Sequence, residues 1–557
     1  MRQRLPVWAI LLVISGILAQ GFCAGEWNRL YYSRHAPFFD SMSYNDQLAE
    51  VMSASKRGGI AEGLHSAFTR RTVFLPWMIA AALAPVLPYS RLVGVWIQEF
   101  WMAVLGVSLL IYWRLYRGAP LGLALLWTVP PLSFAAVYRV NGGVSDFRMD
   151  LSLYLLFSLV LIWYLATRET KSRTPWVLSG LFLALCCMNR ATAPAYLGAT
   201  LGPLLTTRWW FEPETRSWLV KRVATYWVPA AVIGMLPMIS RWTYIHYYYF
   251  VWGADPNANL PLSKSAIHIA FAGMNMGIPI AAAAAVLLGV QVAGQIRGFD
   301  WVEVDWPLVW AACAPALLLT VTGAGPNPFV SMPTVFGALL FCLAPFRNGV
   351  NTSRAVMWAS VLVVATCAYE ARAGYLDHAA KLNGNTPSMA ALKDGIELMR
   401  SESRRVGLKK AEFLTAHLAD FQASALRNVL IYEYGGVPEG NEFTLPDGLV
   451  LAANYENVFG AAVPLSWGEV PGANDAEKYQ HLADLANEHV DFFFLPDEAS
   501  IDWMERERAY NYINVKIRGL KRKLLGTGAW RKTGPTIRIT NQEAVELYVN
   551  TRSGAGR

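Results

Sequence analysis

A succession of apolar runs of roughly bilayer length dominates the first two thirds of this 557-residue sequence and leaves few folds open to it. The first extends from Leu5 to about Cys23. Others follow at about 73–89, 92–112, 119–137, 151–167, 176–188, 191–207, 223–240, 277–296, 306–322, 332–346 and 354–369. A helix needs about 20 residues to cross the hydrocarbon core, so several of these runs must borrow length from their flanks. The chain is 54% hydrophobic and 16% charged, whereas a soluble domain is about 45–50% apolar and about 25% charged. These values exclude collagen-like, disordered and disulfide-framework chains. The expected fold is a polytopic α-helical membrane protein with about 11–12 apolar segments. The 6 cysteines all precede Tyr369, and the adjacent Cys186 and Cys187 sit mid-run, as small core residues do.

Arg2 and Arg4 precede the first run and give it the flanks of a signal anchor; Ala19-Gln20-Gly21 also offers a small-residue cleavage site. On either reading the chain emerges on the non-cytoplasmic side. The first 377 residues carry 27 basic against 17 acidic residues, while the remainder carries 21 against 23. The basic surplus sits in short loops, as the positive-inside rule expects, rather than in a nucleic-acid-binding patch. Arg114 and Arg117, then Arg168, Lys171 and Arg173, then Arg208, Arg216, Lys221 and Arg222, then Arg347 and Arg354 mark cytoplasmic loops. Loops 138–150, 241–276 and 323–331 then lie outside, together with the tail. The sequon Asn351-Thr352-Ser353 falls in a cytoplasmic loop and is set aside. One run is surplus to this count. The segment 73–89 carries Pro76, Pro85 and Pro88, and proline frees backbone groups that lipid cannot satisfy. It is expected to be re-entrant or juxtamembrane.

Two domains are expected: a membrane domain over 1–370, with a long polar outer loop at 26–72, and a soluble α/β domain over 371–557. In the second, Ala411–Ala416, Gly448–Ala453 and Val490–Leu495 read as strands. Asp420–Leu430 and Asn474–His489 read as helices. A basic stretch from Lys516 to Lys532, with apolar residues at helical spacing, reads as a solvated amphipathic helix or as a contact for anionic lipid heads or an anionic acceptor.

Two acidic clusters fall in outer loops. One holds Asp40, Tyr44 and Asp46; the other is Asp146-Phe147-Arg148-Met149-Asp150. Each alone is a solvated loop face. Together on one membrane face, they could bind a divalent cation through oxygens or supply a general base. Basic residues share that face: Arg70 and Arg71, Asn189-Arg190, and Arg241 ahead of His246 and the aromatic run Tyr247–Phe250. Arginine's planar fork matches phosphate, though Arg190 would also serve as a snorkelling interface residue and the tyrosines as an aromatic belt. Gln98-Glu99 lies inside an apolar run, where a carboxylate pairs with arginine or lines a transport path. No Walker A, GxGxxG, CxxC or HExxH signature is present.

With Asp40-x-x-x-Tyr44 after the first membrane exit, Arg148-Met149-Asp150 leading into an apolar helix, a Gly-rich run from Gly180 broken at Asn189-Arg190, and a soluble outer domain at the end, the chain resembles the GT-C superfamily of integral-membrane glycosyltransferases. The branch it looks most like is that of protein O-mannosyltransferases and lipid A aminoarabinose transferases. The resemblance spans roughly residues 1–370. It departs in two places: Arg70-Arg71 stand several residues before Pro76, and Asn189-Arg190 replaces a frequent Thr-Lys. The resemblance implies a polyprenyl-phosphate sugar donor and a glycan, lipid or protein acceptor, with membrane lipid as surroundings and no nucleic acid. It implies Asp40, Asp150 and Asp146 as catalytic carboxylates. Arg190, Arg71, Arg70 and Arg241 would hold the donor phosphate, and Tyr44, Arg148 and His246 would contact substrate. A divalent cation, if used, would sit at Asp40 and Asp150. The implied location is the bacterial inner (plasma) membrane with the C-terminal domain extracytoplasmic.

The rival readings are a transporter or flippase of lipid-linked glycan, which would carry more polar residues deep in its helices, and a non-catalytic membrane scaffold. Topology is directly testable. A phosphatase fused after Arg557 is expected to be active outside the cytoplasm; a cytoplasmic C-terminus would remove the acidic clusters from the outer face.

Overall fold

The computed structural model describes the chain apart from residues 1–3, 37–39, 70–74, 140–141, 247–265, 296–302, 323–330, 348–349, 382–386, 416–422, 456–469, 508–510 and 553–557. It divides into two compact units. The first comprises Met1–Trp27, Ala67–Ile79 and Leu92–Asp377; the second comprises Asn28–Ser66, Ala80–Arg91 and His378–Arg557.

The first unit is helical and apolar. Five helices among the described residues are long and apolar enough to cross a membrane: Val7–Tyr32, Leu92–Tyr116, Met149–Glu169, Pro213–Ile239 and Arg354–Leu376. The helices His268–Met276 and Ile278–Ala293 meet at 93° and are together apolar and long enough for a broken span or a re-entrant loop. The bend is at Gly277, whose φ of +93° a side chain would resist. Shorter apolar helices cover Leu121–Leu132, Thr174–Asn189, Trp306–Val321 and Met332–Leu343. The helix Leu75–Leu83, in the surplus run, has only nine residues, about half of what a crossing needs. At the centre lies Met149–Glu169, in which every residue from Met149 to Thr167 is buried. A helix that is apolar all round belongs inside a bundle of other helices.

The two ends of this central helix are chemically different. At its C-terminal end Asp305, with its side chain 1% exposed, binds Arg117 at 2.7 Å and Arg168 at 3.1 Å. Arg117 also donates to the Phe346 carbonyl at 2.5 Å, and Arg208 donates to Thr167 Oγ1 at 3.0 Å. The four basic loops expected on one side of the membrane therefore meet at one end of the unit. At the other end, Arg139 donates to Met274 O at 2.5 Å and to Asn275 Oδ1 at 2.9 Å, and Asn275 donates to Ser331 Oγ at 2.8 Å. Those residues come from the three loops expected on the opposite side.

The second unit is built on a seven-stranded mixed sheet of order β2-β3-β4-β1-β5-β7-β6. Its strands are β1 (Lys410–Thr415), β2 (Val437–Glu439), β3 (Glu442–Thr444), β4 (Val450–Ala452), β5 (Phe492–Pro496), β6 (Trp530–Arg538) and β7 (Ala544–Asn550). β1 runs parallel to both β4 and β5, and the remaining pairs are antiparallel. β5 is buried on both faces, which its Phe492-Phe493-Phe494 run requires. Asn474 caps the Asp475–His489 helix by accepting from the Glu477 amide at 3.0 Å, while Glu477 reaches back to the Ala473 amide at 2.8 Å. The C-terminal part of the chain thus carries an α/β sheet domain, and the unit it belongs to also takes in Asn28–Ser66 and Ala80–Arg91.

The stretch expected as a polar outer loop is instead largely helical, with Asp40–Gly58 and Ile60–Phe68. The first of these helices belongs to the soluble unit's core, where Met42 and Ala49 pack with Leu426, Val429 and Leu430. Asn428 ties it down, donating to Met42 O at 2.8 Å and Asp46 Oδ1 at 2.5 Å, and Tyr432 donates to Asn45 O at 2.8 Å. Arg91 lies over the rings of Tyr432 and Tyr32 and pairs with Glu433 at 3.2 Å. Burial alone would raise the Glu433 carboxyl, but Lys393 and Arg91 outweigh it and hold it below the usual carboxylate range. Part of the basic helix Asn511–Gly526 is paired within the unit: Arg518 binds Glu498, Asp502 and Glu505, and Lys521 binds Glu546, while Arg522 and Lys523 stay exposed. Asn428→Ala is expected to cost about 2 kcal/mol or more, because it leaves a buried carboxylate oxygen without its donor. Amide hydrogen exchange should then accelerate across Asp40–Gly58; unchanged protection there would remove Asn428 as the tie.

Candidate functional site

The clearest concentration of buried charge at the outer-loop end of the first unit is centred on Asp150. The chain enters the central helix through Arg148, whose extended backbone (φ −130°, ψ 149°) turns the following residues into the first helical turn. Asp150 therefore stands at a helix N-terminus, where the unpaired amides and the helix dipole favour an anion. Arg190 caps the C-terminus of the neighbouring helix Thr174–Asn189, again in extended conformation, and its guanidinium binds Asp150 Oδ1 directly. Arg148 Nε lies 3.9 Å from Asp150 Oδ2. The Asp150 and Arg148 side chains are each 3% exposed, whereas that of Arg190 is 19% exposed and so reaches the surface. Asp146 is turned back into its own loop, where Oδ2 accepts from the Gly142 amide at 2.9 Å.

The Leu92–Ile111 helix holds this entrance in place. Gln98, fully buried, donates Nε2 to the Arg148 carbonyl at 2.9 Å. One turn earlier Gly94 lies so close to Phe147 that a Cβ there would come within 2.3 Å of the ring. Trp77 meets the same ring edge-on at 5.8 Å. Glu99, beside Gln98, has no arginine partner: neither carboxylate oxygen has a hydrogen-bond partner among the described residues. Asn189 is fully buried beside Arg190, and neither atom of its amide group has a hydrogen-bond partner among the described residues. Gln98 was legible in the sequence only as a polar residue in an apolar run, and Arg139 not at all. A hydrogen bond to a carbonyl fifty residues away has no local sequence signal.

Arg148, Asp150 and Arg190 are thus brought together, with Asp146 in the adjoining loop. Arg241 follows the Val228–Ser240 helix and donates Nε to the Phe68 carbonyl at 3.4 Å, and His246 is exposed, 6.1 Å from the Trp242 ring. Asp40 and the half-buried Tyr44 lie on the Asp40–Gly58 helix of the second unit. Arg70, Arg71 and the aromatic run from Tyr247 to Phe250 lie outside the described residues, as does the side chain of Asp40. Among the described residues no group of three or more metal-ligating side chains forms. Asp150 as arranged does not fit a divalent cation, since guanidiniums already sit at both of its oxygens. A carboxylate so occupied is suited to orienting Arg190. A guanidinium held rigidly by a buried carboxylate is prepared to meet a phosphate.

No protein-family model and no curated protein matches the chain. Several solved structures resemble it in fold, the following two among them. One is the crystal structure of ArnT from Cupriavidus metallidurans bound to undecaprenyl phosphate, with a TM-score of 0.55, 11% identity, and 97% of each chain covered. The other is the single-particle cryo-EM structure of the arabinofuranosyltransferase AftD from Mycobacteria, with a TM-score of 0.50 and 13% identity. That match covers 99% of this chain but 40% of AftD, so the chain spans about two fifths of that relative.

Gly94→Ala is expected to lower the melting temperature of the detergent-solubilised protein, since overpacking of this kind costs about 1–3 kcal/mol. Gly198→Ala is the control. Its Cβ would meet nothing within 4 Å, so it should be neutral or slightly stabilising. Equal melting of the two variants would show that the Gly94–Phe147 contact does not clamp the entrance.

Proposed function

We propose that this chain, which has the fold of the GT-C superfamily of integral-membrane glycosyltransferases, transfers a sugar from a polyprenyl-phosphate donor to an acceptor at the outer face of the membrane. The observation that carries this reading is the Asp150–Arg190 pair, which stands at the end of the first unit opposite the basic loops. Basic loops favour the cytoplasmic side, so the pair faces outward in the proposed orientation. A bilayer-embedded prenyl chain brings its phosphate to that level without a nucleotide, in keeping with the absence of nucleotide-binding motifs. The undecaprenyl phosphate bound to ArnT supports a donor of this chemical class.

In the proposed mechanism Asp150 and Arg148 hold charge in the buried entrance, and Arg190 supplies guanidinium donors to the donor phosphate. As the glycosidic bond to that phosphate breaks, negative charge builds on its oxygens. A fixed cation stabilises that charge without having to reorganise. The acceptor hydroxyl attacks the anomeric carbon and gives its proton to a carboxylate. Asp150, already engaged with guanidiniums, is poorly suited to take it. Asp40 is assigned the role of general base, with Tyr44 one helical turn further on contacting substrate and Asp46 left to its structural bond with Asn428. Asp146 and His246 are assigned to acceptor positioning, and Arg241, Arg70 and Arg71 to the phosphate.

Profiling of lipid-linked sugars in a deletion strain tests the reaction class. Accumulated polyprenyl-phosphate sugar is expected; accumulation of a lipid-linked glycan confined to the inner leaflet would instead point to a flippase. With that donor identified and the protein purified, Asp40→Asn should lower turnover about 100-fold, the lower range for a lost general base. Arg190→Ala should weaken donor binding more than Arg190→Lys does, by roughly 1.5–3 kcal/mol for a lost charge-assisted bond. Wild-type turnover in Asp40→Asn would move the base elsewhere, and unchanged donor affinity in Arg190→Ala would make Arg190 an interface anchor.

A further inference from the structure

The basic end of the first unit, far from Asp150, contains a cavity of about 1050 Å³. One wall is the stretch from Pro203 to Glu212 and the other runs from Trp306 to Cys313, with Tyr164 and Arg168 of the central helix at the back. Leu204, Phe211, Val309 and Trp310 make these walls apolar. Trp310 spends its indole N–H on the Ala199 and Thr200 carbonyls, at 3.2 and 3.1 Å, and so offers the cavity only hydrocarbon. The charged lining is unbalanced: Arg168, Arg208 and Arg347 stand against the single carboxylate of Glu212. Arg168 is committed to Asp305 and Arg208 to Glu212. Arg347 is exposed and makes no side-chain hydrogen bond among the described residues; the Glu169 carboxylate acts on it only through space.

We infer that this cavity is a binding site for an anionic diacyl phospholipid, with its headgroup phosphate on Arg347 and its chains between the two apolar walls. Charge complementarity selects the headgroup, because a basic pocket between membrane helices at the cytoplasmic level attracts anionic lipid heads. The shape selects the tail. Each wall is roughly 10–13 Å long at 1.5 Å per helical residue, so a hollow of this volume is short and broad. It accommodates two chains side by side better than one long extended prenyl chain. The site lies roughly 27 Å along the central helix from Asp150, counting 1.5 Å per residue from there to Arg168, and needs no part of the proposed transfer reaction. Occupied, it would seal the seam between the Ala193–Phe211 and Trp306–Val321 helices beside the buried Arg117–Asp305–Arg168 cluster.

Native mass spectrometry of the full-length protein, delipidated in mild detergent and titrated with phosphatidylglycerol or phosphatidylcholine of equal chain length, tests this. Phosphatidylglycerol is expected to bind about tenfold more tightly, the ratio that corresponds to roughly 1.4 kcal/mol. Arg347→Ala should remove most of that preference and Arg347→Lys should keep part of it. Because Arg347 is exposed, neither change threatens folding. Thr207→Trp, which fills the cavity from its wall, should abolish the tight site for both lipids. Equal affinity for the two lipids, a preference unchanged in Arg347→Ala, or tighter retention of undecaprenyl phosphate than of phosphatidylglycerol would each overturn the assignment.

Discussion

The burial of Met149–Glu169 with a charge cluster at each end is the constraint on which the membrane unit depends. A helix surrounded by other helices along its whole length cannot place its terminal charges in lipid, and bulk water is not within reach of a side chain 1–3% exposed. Asp150 of this helix, and Asp305, which precedes the Trp306–Val321 helix and lies beside the other end, must therefore find cations within the protein. Asp150 finds Arg190 and Arg148; Asp305 finds Arg117 and Arg168. Removing one partner from such a cluster leaves an uncompensated buried charge, which typically costs about 3–5 kcal/mol. The clusters consequently fix how neighbouring helices register against the central one, and in doing so they sort the loops to opposite ends.

The two ends are put to different uses. In the Arg117–Asp305–Arg168 cluster both carboxylate oxygens are bonded and a backbone carbonyl takes a further guanidinium donor. It reads as a structural fastening. The Asp150 cluster is open on one side, because the Arg190 side chain remains 19% exposed while its carboxylate partner does not. A buried anion holding a partly exposed cation is the arrangement that a phosphate-binding site needs. Gln98 and Gly94 support it from the adjacent helix, one through a hydrogen bond and the other through the lack of a side chain.

The soluble unit follows other rules. β5 buries both faces, so its Phe492–Leu495 stretch is continuously apolar and easy to recognise, whereas β1 is buried from Ala411 onward yet carries Glu412. The N-cap at Asn474 was equally legible, since a capping side chain acts on a backbone amide only three residues away. The Asp40–Gly58 helix was not legible. Its composition is that of a polar loop, and its few apolar residues become a core face only against Leu426 and Val429, nearly four hundred positions later. The basic helix near the C-terminus was seen as a helix; its Arg518 binds carboxylates of the preceding helix and its Lys521 binds Glu546, pairings that helical spacing alone does not show.

The sequence by itself determined the class of protein, the sorting of its short loops into two sets, the separate α/β tail and the acidic and basic residues worth watching. Apolar length, loop charge and strand or helix periodicity are local properties that physics reads locally. Only the tertiary structure decided which of those residues meet. It joined Arg190 to Asp150 across forty positions, turned Asp146 back into its own loop, left Glu99 without an arginine and built the supposed outer loop into the soluble core. The physical reason is that an ion pair or a packing contact depends on where two chain segments are brought by everything else that folds, and neither segment's sequence carries that position.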